Sequence, residues 1–221
     1  DGSSDDTHEV LLELKQNAPF QIQYFYQVNG GKHRAHNTAL GLANSELMLI
    51  LDSDDELYPY AIDAISREWL SVPDSERKTY AGIIGHSADE SGSMIGELYP
   101  ENIKDGYWFS LVHDGILTGE KLPCYRLDIL KKFPFHELKG NNEYIPEGIV
   151  WIKIGHHYKV LCMNDIVRIY HNDTNDLNSI SNKYIDRSSG AWGKMLYHIT
   201  ILNSSKNNWS QYTSLFIKSA I

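Results

Sequence analysis

The chain has 221 residues, 42% hydrophobic and 22% charged, a globular composition sized for one domain with a small appendage. Its 29 acidic residues outnumber 20 basic ones, for a formal charge of −9. That balance excludes a general nucleic-acid binder, which needs Lys and Arg to displace counterions from phosphate. The longest apolar runs, Leu47–Leu51 and Gly148–Ile152, are far too short to cross a bilayer.

In chain order, Asp1–Thr7 (DGSSDDT) is a polar cluster of the kind that caps a helix, predicted from about His8 to Asn17 with Val10, Leu11 and Leu14 on its apolar face. Gln21–Gln27, rich in aromatics, reads as a strand. Asn29–Gly31 breaks it, and a helix follows from about Lys32 to Ala43 with Ala35, Ala39 and Leu42 inward. Leu47–Leu51 reads as a central parallel strand, ending directly in DSDDE. Pro59–Trp69 is then helical, and Tyr80–His86 is a strand. Tyr107–Leu111 is a short segment, and Leu127–Phe133 a short helix. Asn141–Pro146 is a loop before a helix from about Glu147. Lys159–Asn164 and Ile166–His171 read as paired strands, and one or two helices follow from about Asn182. Cys124 and Cys162 are isolated and read as buried thiols of a reducing compartment, the cytoplasm.

Alternating strands and helices predict an α/β fold with a mostly parallel sheet. In such sheets ligands sit at the carboxyl ends of strands, where both acidic clusters, Asp1–Asp6 and Asp52–Asp55, fall. Carboxylates two apart, as Asp52 and Asp54 are, suit Mg²⁺ or Mn²⁺ holding a diphosphate. The cation offsets charge that builds up as a nucleoside diphosphate departs. A solvated acidic turn capping the next helix is the plainer alternative for such a pattern.

The runs DGSSDDT and NGGKHRAHNTALGLANSELMLILDSDDELYP resemble the nucleotide-binding half of family 2 glycosyltransferases of the GT-A fold. LTGEKLPCYRLDILKKFPF and PEGIVWIKIGHHYKVLCMNDIVRIYHND are similar to acceptor-side segments of bacterial members that build surface polysaccharides. The resemblance implies a GT-A domain over residues 1–175, with a nucleotide-binding part (1–86) and an acceptor-side part (87–175). A C-terminal helical extension would occupy 176–221. It also implies that the sequence starts after the first strand of that fold.

The implied activity is inverting, metal-dependent transfer of a sugar from a UDP-linked donor to a glycan or lipid-linked acceptor. Asp1 would contact base or ribose, Lys32 base or phosphate, and Asp52 ribose or metal. Asp54 would be the principal ligand of Mn²⁺ or Mg²⁺, with Asp52 and His171 completing the set. Where relatives carry a Glu-Asp pair before a Trp, this chain has Glu147, Gly148 and, further on, Trp151. Glu147 is therefore the expected base, taking the acceptor hydroxyl's proton, with Glu143 as runner-up. Tyr107, Trp108 and Phe109 would stack on an acceptor sugar or fill the core. The adjacent His156 and His157 point apart and read as structural. The C-terminal helices would pack on the domain or rest on the cytoplasmic membrane's inner face. Two other readings stay open: a metal-dependent nucleotidyltransferase, and a sugar-nucleotide- or glycan-binding relative without turnover.

Overall fold

The computed structural model describes residues 1–137, 145–171 and 191–204. Helix α1 spans Thr7–Asn17 and α2 Lys32–Leu42, followed by the short strands β1 (Leu47–Leu49) and β2 (Glu56–Leu57). Helices α3 (Ala61–Ser71) and α4 (Asp74–Arg77) lead into the long strand β3 (Tyr80–Ala88). Then come β4 (Asp105–Tyr107), α5 (Trp108–His113), β5 (Lys121–Arg126) and α6 (Leu127–Leu130). Helix α7 (Gly148–Gly155), strand β6 (Lys159–Ile169) and helix α8 (Ala191–Ser204) complete the described elements.

The strands form one mixed sheet in the order β1-β5-β3-β6-β2, with β4 also paired to β6. The α/β class expected from the sequence holds, but the direction of pairing is a correction. Among the described strands only β3 and β6 run parallel; β1·β5, β3·β5, β2·β6 and β4·β6 are antiparallel. Two departures explain this. The expected strand at Gln21–Gln27 has no ladder among the described residues, and Phe25 and Tyr26 are exposed. Strand β5 was hidden from the sequence reading by Pro123, which cannot donate to a ladder and argues against an interior strand; it nevertheless pairs with β1 and β3 on its two sides.

The segment read as two paired late strands is one strand, β6, kinked where its register against β3 jumps from Ile84↔Cys162 to His86↔Ile166. Leu47–Leu49 lies at the sheet's edge, half-buried, where a central strand was expected.

Apolar clusters line both faces of the sheet. Strand β3 sends Ile83 to one, with Ile65 and Trp69 of α3, and Ile84 to the other, with Leu40, Tyr125, Trp151 and Ile154. This alternation is the period-two rule of a strand covered on both sides. Helix α2 turns a different face inward from the one predicted. His33, His36 and Leu40 are buried while Leu42 is exposed, a proper three-and-four spacing that reading His as polar had concealed. On α1 no side chain is buried, and Val10 and Leu14 are exposed. Both cysteines are free and buried, as expected, and burial pushes each thiol up to about 12. No helix of the described residues is long and apolar enough to cross a membrane.

Candidate functional site

Because β1 lies at one edge of the sheet and β2 beyond β6, the segment from Ile50 to Asp55 must cross the strand ends. An extended chain reaches roughly 3.3–3.6 Å per residue, enough for that crossing. The acidic run is thus laid over the ends of β3 and β6. Asp55 closes a turn by donating its amide to the Asp52 carbonyl at 3.1 Å.

Asp55 anchors this crossing from below. Its Oδ2 accepts from Arg168 Nη1 at 3.0 Å and its Oδ1 from the His171 amide at 3.1 Å. The side chains are only 1% (Asp55) and 8% (Arg168) exposed. Arg168 also donates to Ser87 Oγ at 2.9 Å and to Glu120 Oε2 at 3.4 Å, and lies over the Tyr170 ring. Burial raises the Asp55 carboxyl above its usual range, against the opposing pull of the His171 amide and Arg168. From the sequence Asp55 could support the ribose or metal contacts or cap the following helix, and no motif there singles out Arg168. The available signal was a charged residue inside the apolar strand IVRIY, since a buried guanidinium needs an acid partner.

Above the anchor, Asp52 and Glu147 meet at one ammonium. Lys32 Nζ lies 2.6 Å from Asp52 Oδ1 and 2.7 Å from Glu147 Oε1. Lys32 opens α2 and Glu147 is the residue from which α7 starts, so two helix beginnings and the crossing segment converge there. Partial burial pulls the Lys32 ammonium down, but Glu147 and Asp52 together hold it well above the usual lysine range. Three of the residues singled out in the sequence are brought together here. The third nucleotide-side residue, Asp1, accepts from Gln27 Nε2 (2.7 Å) and from the amides of Gly30 (3.0 Å) and Gly31 (2.9 Å). It thereby fixes the glycine turn, with Gly31 at φ 87°, that delivers Lys32.

His171 stands apart from that cluster. Its Nδ1 is 2.9 Å from Glu90 Oε1 and its Nε2 is 3.2 Å from Glu56 Oε1. These carboxylates, Glu90 foremost, raise its pKa. Both ring nitrogens are thus engaged by carboxylates, so His171 offers a metal no free nitrogen in this arrangement. Asp54 is exposed. Among the described residues no three His, Cys, Asp or Glu side chains converge as a metal cage. The donor set still fits a hard cation of the kind recruited with a diphosphate, because such ions are held by one or two carboxylates plus phosphate oxygens. Glu143 lies outside the described residues. On the acceptor side Tyr107 is exposed, whereas Trp108 packs into the core against Gly155. His156 and His157 stack on different rings, Phe109 and Phe133.

The model of the family described as "Glycosyl transferase family 2" matches residues 1–73, which carry Asp1, Lys32, Asp52 and Asp54. Over this segment the chain is similar to family 2 glycosyltransferases. The chain is 26% identical over 190 residues to a chondroitin synthase of Pasteurella multocida (strain Pm70), covering 81% of this chain and 18% of that protein. To a chondroitin synthase of Escherichia coli it is 25% identical over 188 residues, covering 81% and 25%. The chain thus spans a quarter or less of these relatives. Among solved structures, S. aureus TarS 1-349 in complex with UDP-GlcNAc aligns with a TM-score of 0.52 at 16% identity, covering 77% of this chain and 47% of that one. That likeness shows the fold, the GT-A arrangement expected from the family 2 segment.

Proposed function

We propose that this protein transfers a sugar from a nucleotide-sugar donor, UDP-linked, to a hydroxyl of a glycan or lipid-linked acceptor, with inversion, in surface polysaccharide synthesis at the cytoplasmic side of the membrane. The observation that carries the reading is the Lys32 ammonium shared by Asp52 and Glu147. It joins the family 2 nucleotide segment to a carboxylate from the far part of the chain. The chondroitin and hyaluronan synthases among the relatives and the UDP-GlcNAc bound by TarS support donor and product class.

In this reading Asp1, Lys32 and Asp52 hold the nucleotide. Glu147 accepts the acceptor hydroxyl's proton as the new C–O bond forms at the anomeric carbon. The bond from that carbon to the diphosphate breaks on the opposite face, and the nucleoside diphosphate carries away the electron pair. A bound Mn²⁺ or Mg²⁺ would supply charge neutralisation for the departing diphosphate. Asp54, with Asp52 once Lys32 releases it, would hold that ion, and His171 reaches it only by leaving Glu90 and Glu56.

Calorimetric titration with UDP, with and without Mn²⁺, tests the donor site. Metal-dependent binding that Asp54→Ala abolishes is expected, together with loss of sugar transfer from UDP-sugars in Glu147→Gln. A folded protein that binds neither UDP nor GDP refutes the reading.

A further inference from the structure

Gly148, which stands where the resemblance leads one to expect an acid, has a specific neighbour. A Cβ built on Gly148 would lie 2.8 Å from Tyr197 Cε2, closer than real Cβ atoms approach, and 3.7 Å from Tyr197 Cζ. Tyr197 belongs to α8, which packs against α7, and with Leu196 it rests against the main apolar cluster. Burial raises its phenol above the usual tyrosine range. The ring is therefore half-buried and seated on the first turn of α7. That turn closes through the Glu147 carbonyl, which accepts from the Val150 amide at 2.8 Å and the Trp151 amide at 3.3 Å.

We propose that Tyr197 is a positioning residue for Glu147. The argument rests on the reading of Glu147 as the base. The Glu147 carboxylate is held on one side by Lys32, but a salt bridge half open to water does not fix a side chain to catalytic tolerance. The backbone that carries it needs a second constraint, and the Tyr197 ring supplies one by contact with Gly148. A second carboxylate at 148 and a ring at 197 compete for one space, and this chain has taken the ring. The helix read from the sequence as part of a C-terminal extension thus forms one wall of the site.

The test is a cycle of Gly148→Ala, Tyr197→Ala and the double variant, with Tyr197→Phe and Glu147→Gln as companions. Three quantities are read: melting temperature, UDP affinity in Mn²⁺, and turnover as UDP released from UDP-GlcNAc. Gly148→Ala is expected to lower the melting temperature in the parent chain and to cost little more in the Tyr197→Ala background, because residues in contact are non-additive. Tyr197→Ala is expected to reduce kcat by about ten-fold or more, the scale of a small displacement of a catalytic group, while UDP affinity stays put. Tyr197→Phe, which keeps the ring edge, restores turnover. Additive melting shifts, or parent-like turnover in Tyr197→Ala with Glu147→Gln inactive, overturn the proposal. Full turnover in Glu147→Gln overturns the base assignment and the proposal together.

Discussion

Arg168→Met removes the cation beneath the acidic segment, and its cost follows from what it leaves behind. Asp55 would keep only the His171 amide as a partner in a site where 1% of its side chain meets water. Ser87 Oγ and the Lys121 carbonyl would lose their donor as well. Breaking a buried ion pair from one side costs about 3–5 kcal/mol, because the remaining charge is uncompensated. In a domain of this size each kcal/mol moves the melting point by about 2–4 °C, so a fall of about 6–20 °C is expected. Adding Asp55→Asn removes the orphaned charge and recovers much of the loss, since neutralising both members of a buried pair is far cheaper than removing one. Differential scanning calorimetry of the two single variants and the double variant measures this. A fall below about 3 °C for Arg168→Met, or a double variant worse than both singles, refutes the view that this pair anchors the crossing segment.

Burial depresses the His36 pKa to about 4, with Lys32 adding to the effect. The unfolded chain therefore binds this proton first, and stability present above pH 6.5 is lost as the pH falls toward 4, by about 3 kcal/mol. His36→Gln is expected to flatten that acid limb in melts taken between those values, and an unchanged limb counts against a neutral buried imidazole. Lys32→Met removes a half-exposed bridge, so stability should change by less than about 1 kcal/mol. Turnover should nevertheless fall by about ten-fold or more, because two carboxylates lose the cation that orients them; parallel assays of melting and UDP release separate the two effects. Gly82→Ala drives a methyl into the Cys124 carbonyl and the Tyr125 Cα of the neighbouring strand. It should destabilise by about 1–3 kcal/mol or more, read from urea midpoints at constant m.

Helices α1 and α3 were legible because apolar spacing and breaker residues mark them locally, α7 because it follows the loop ending at Pro146, and Leu47–Leu49 and Tyr80–Ala88 because they are short apolar runs. What was lost depended on partners far away in sequence. Gln21–Gln27 has strand composition but no ladder among the described residues, and composition alone does not make a strand. Strand β5 has its ladder despite Pro123, with Lys121 buried at its start. The inward face of α2 was missed because burial, which sequence does not show, is what turns His33 and His36 into core residues. At the site, each motif residue was visible by type, but the meeting of Lys32 with Glu147 is a tertiary fact. So is the use of Arg168, whose partner Asp55 is far away in the sequence but lies beside it where β2 pairs with β6.

The charges around the acidic segment bear on how an acidic protein would take the anionic donor of the proposed function. The basic groups described there are already committed: Lys32 to Asp52 and Glu147, Arg168 to Asp55 and Glu120, and the His171 ring to Glu90 and Glu56. Each of the three serves a pair of carboxylates, so the cluster carries more negative than positive charge before any ligand arrives. A diphosphate brought in alone would meet that excess at close range, where Coulomb terms are several kcal/mol at the effective dielectric of a protein surface. In the proposed function a divalent ion bound with the diphosphate would offset that excess, with Asp52 and Asp54 as the carboxylates to hold it. On the proposed function this would be the use of Asp54. It is the exposed carboxylate of the segment that no described cation neutralises, and it is therefore where removal of one charge should weaken metal-dependent UDP binding most.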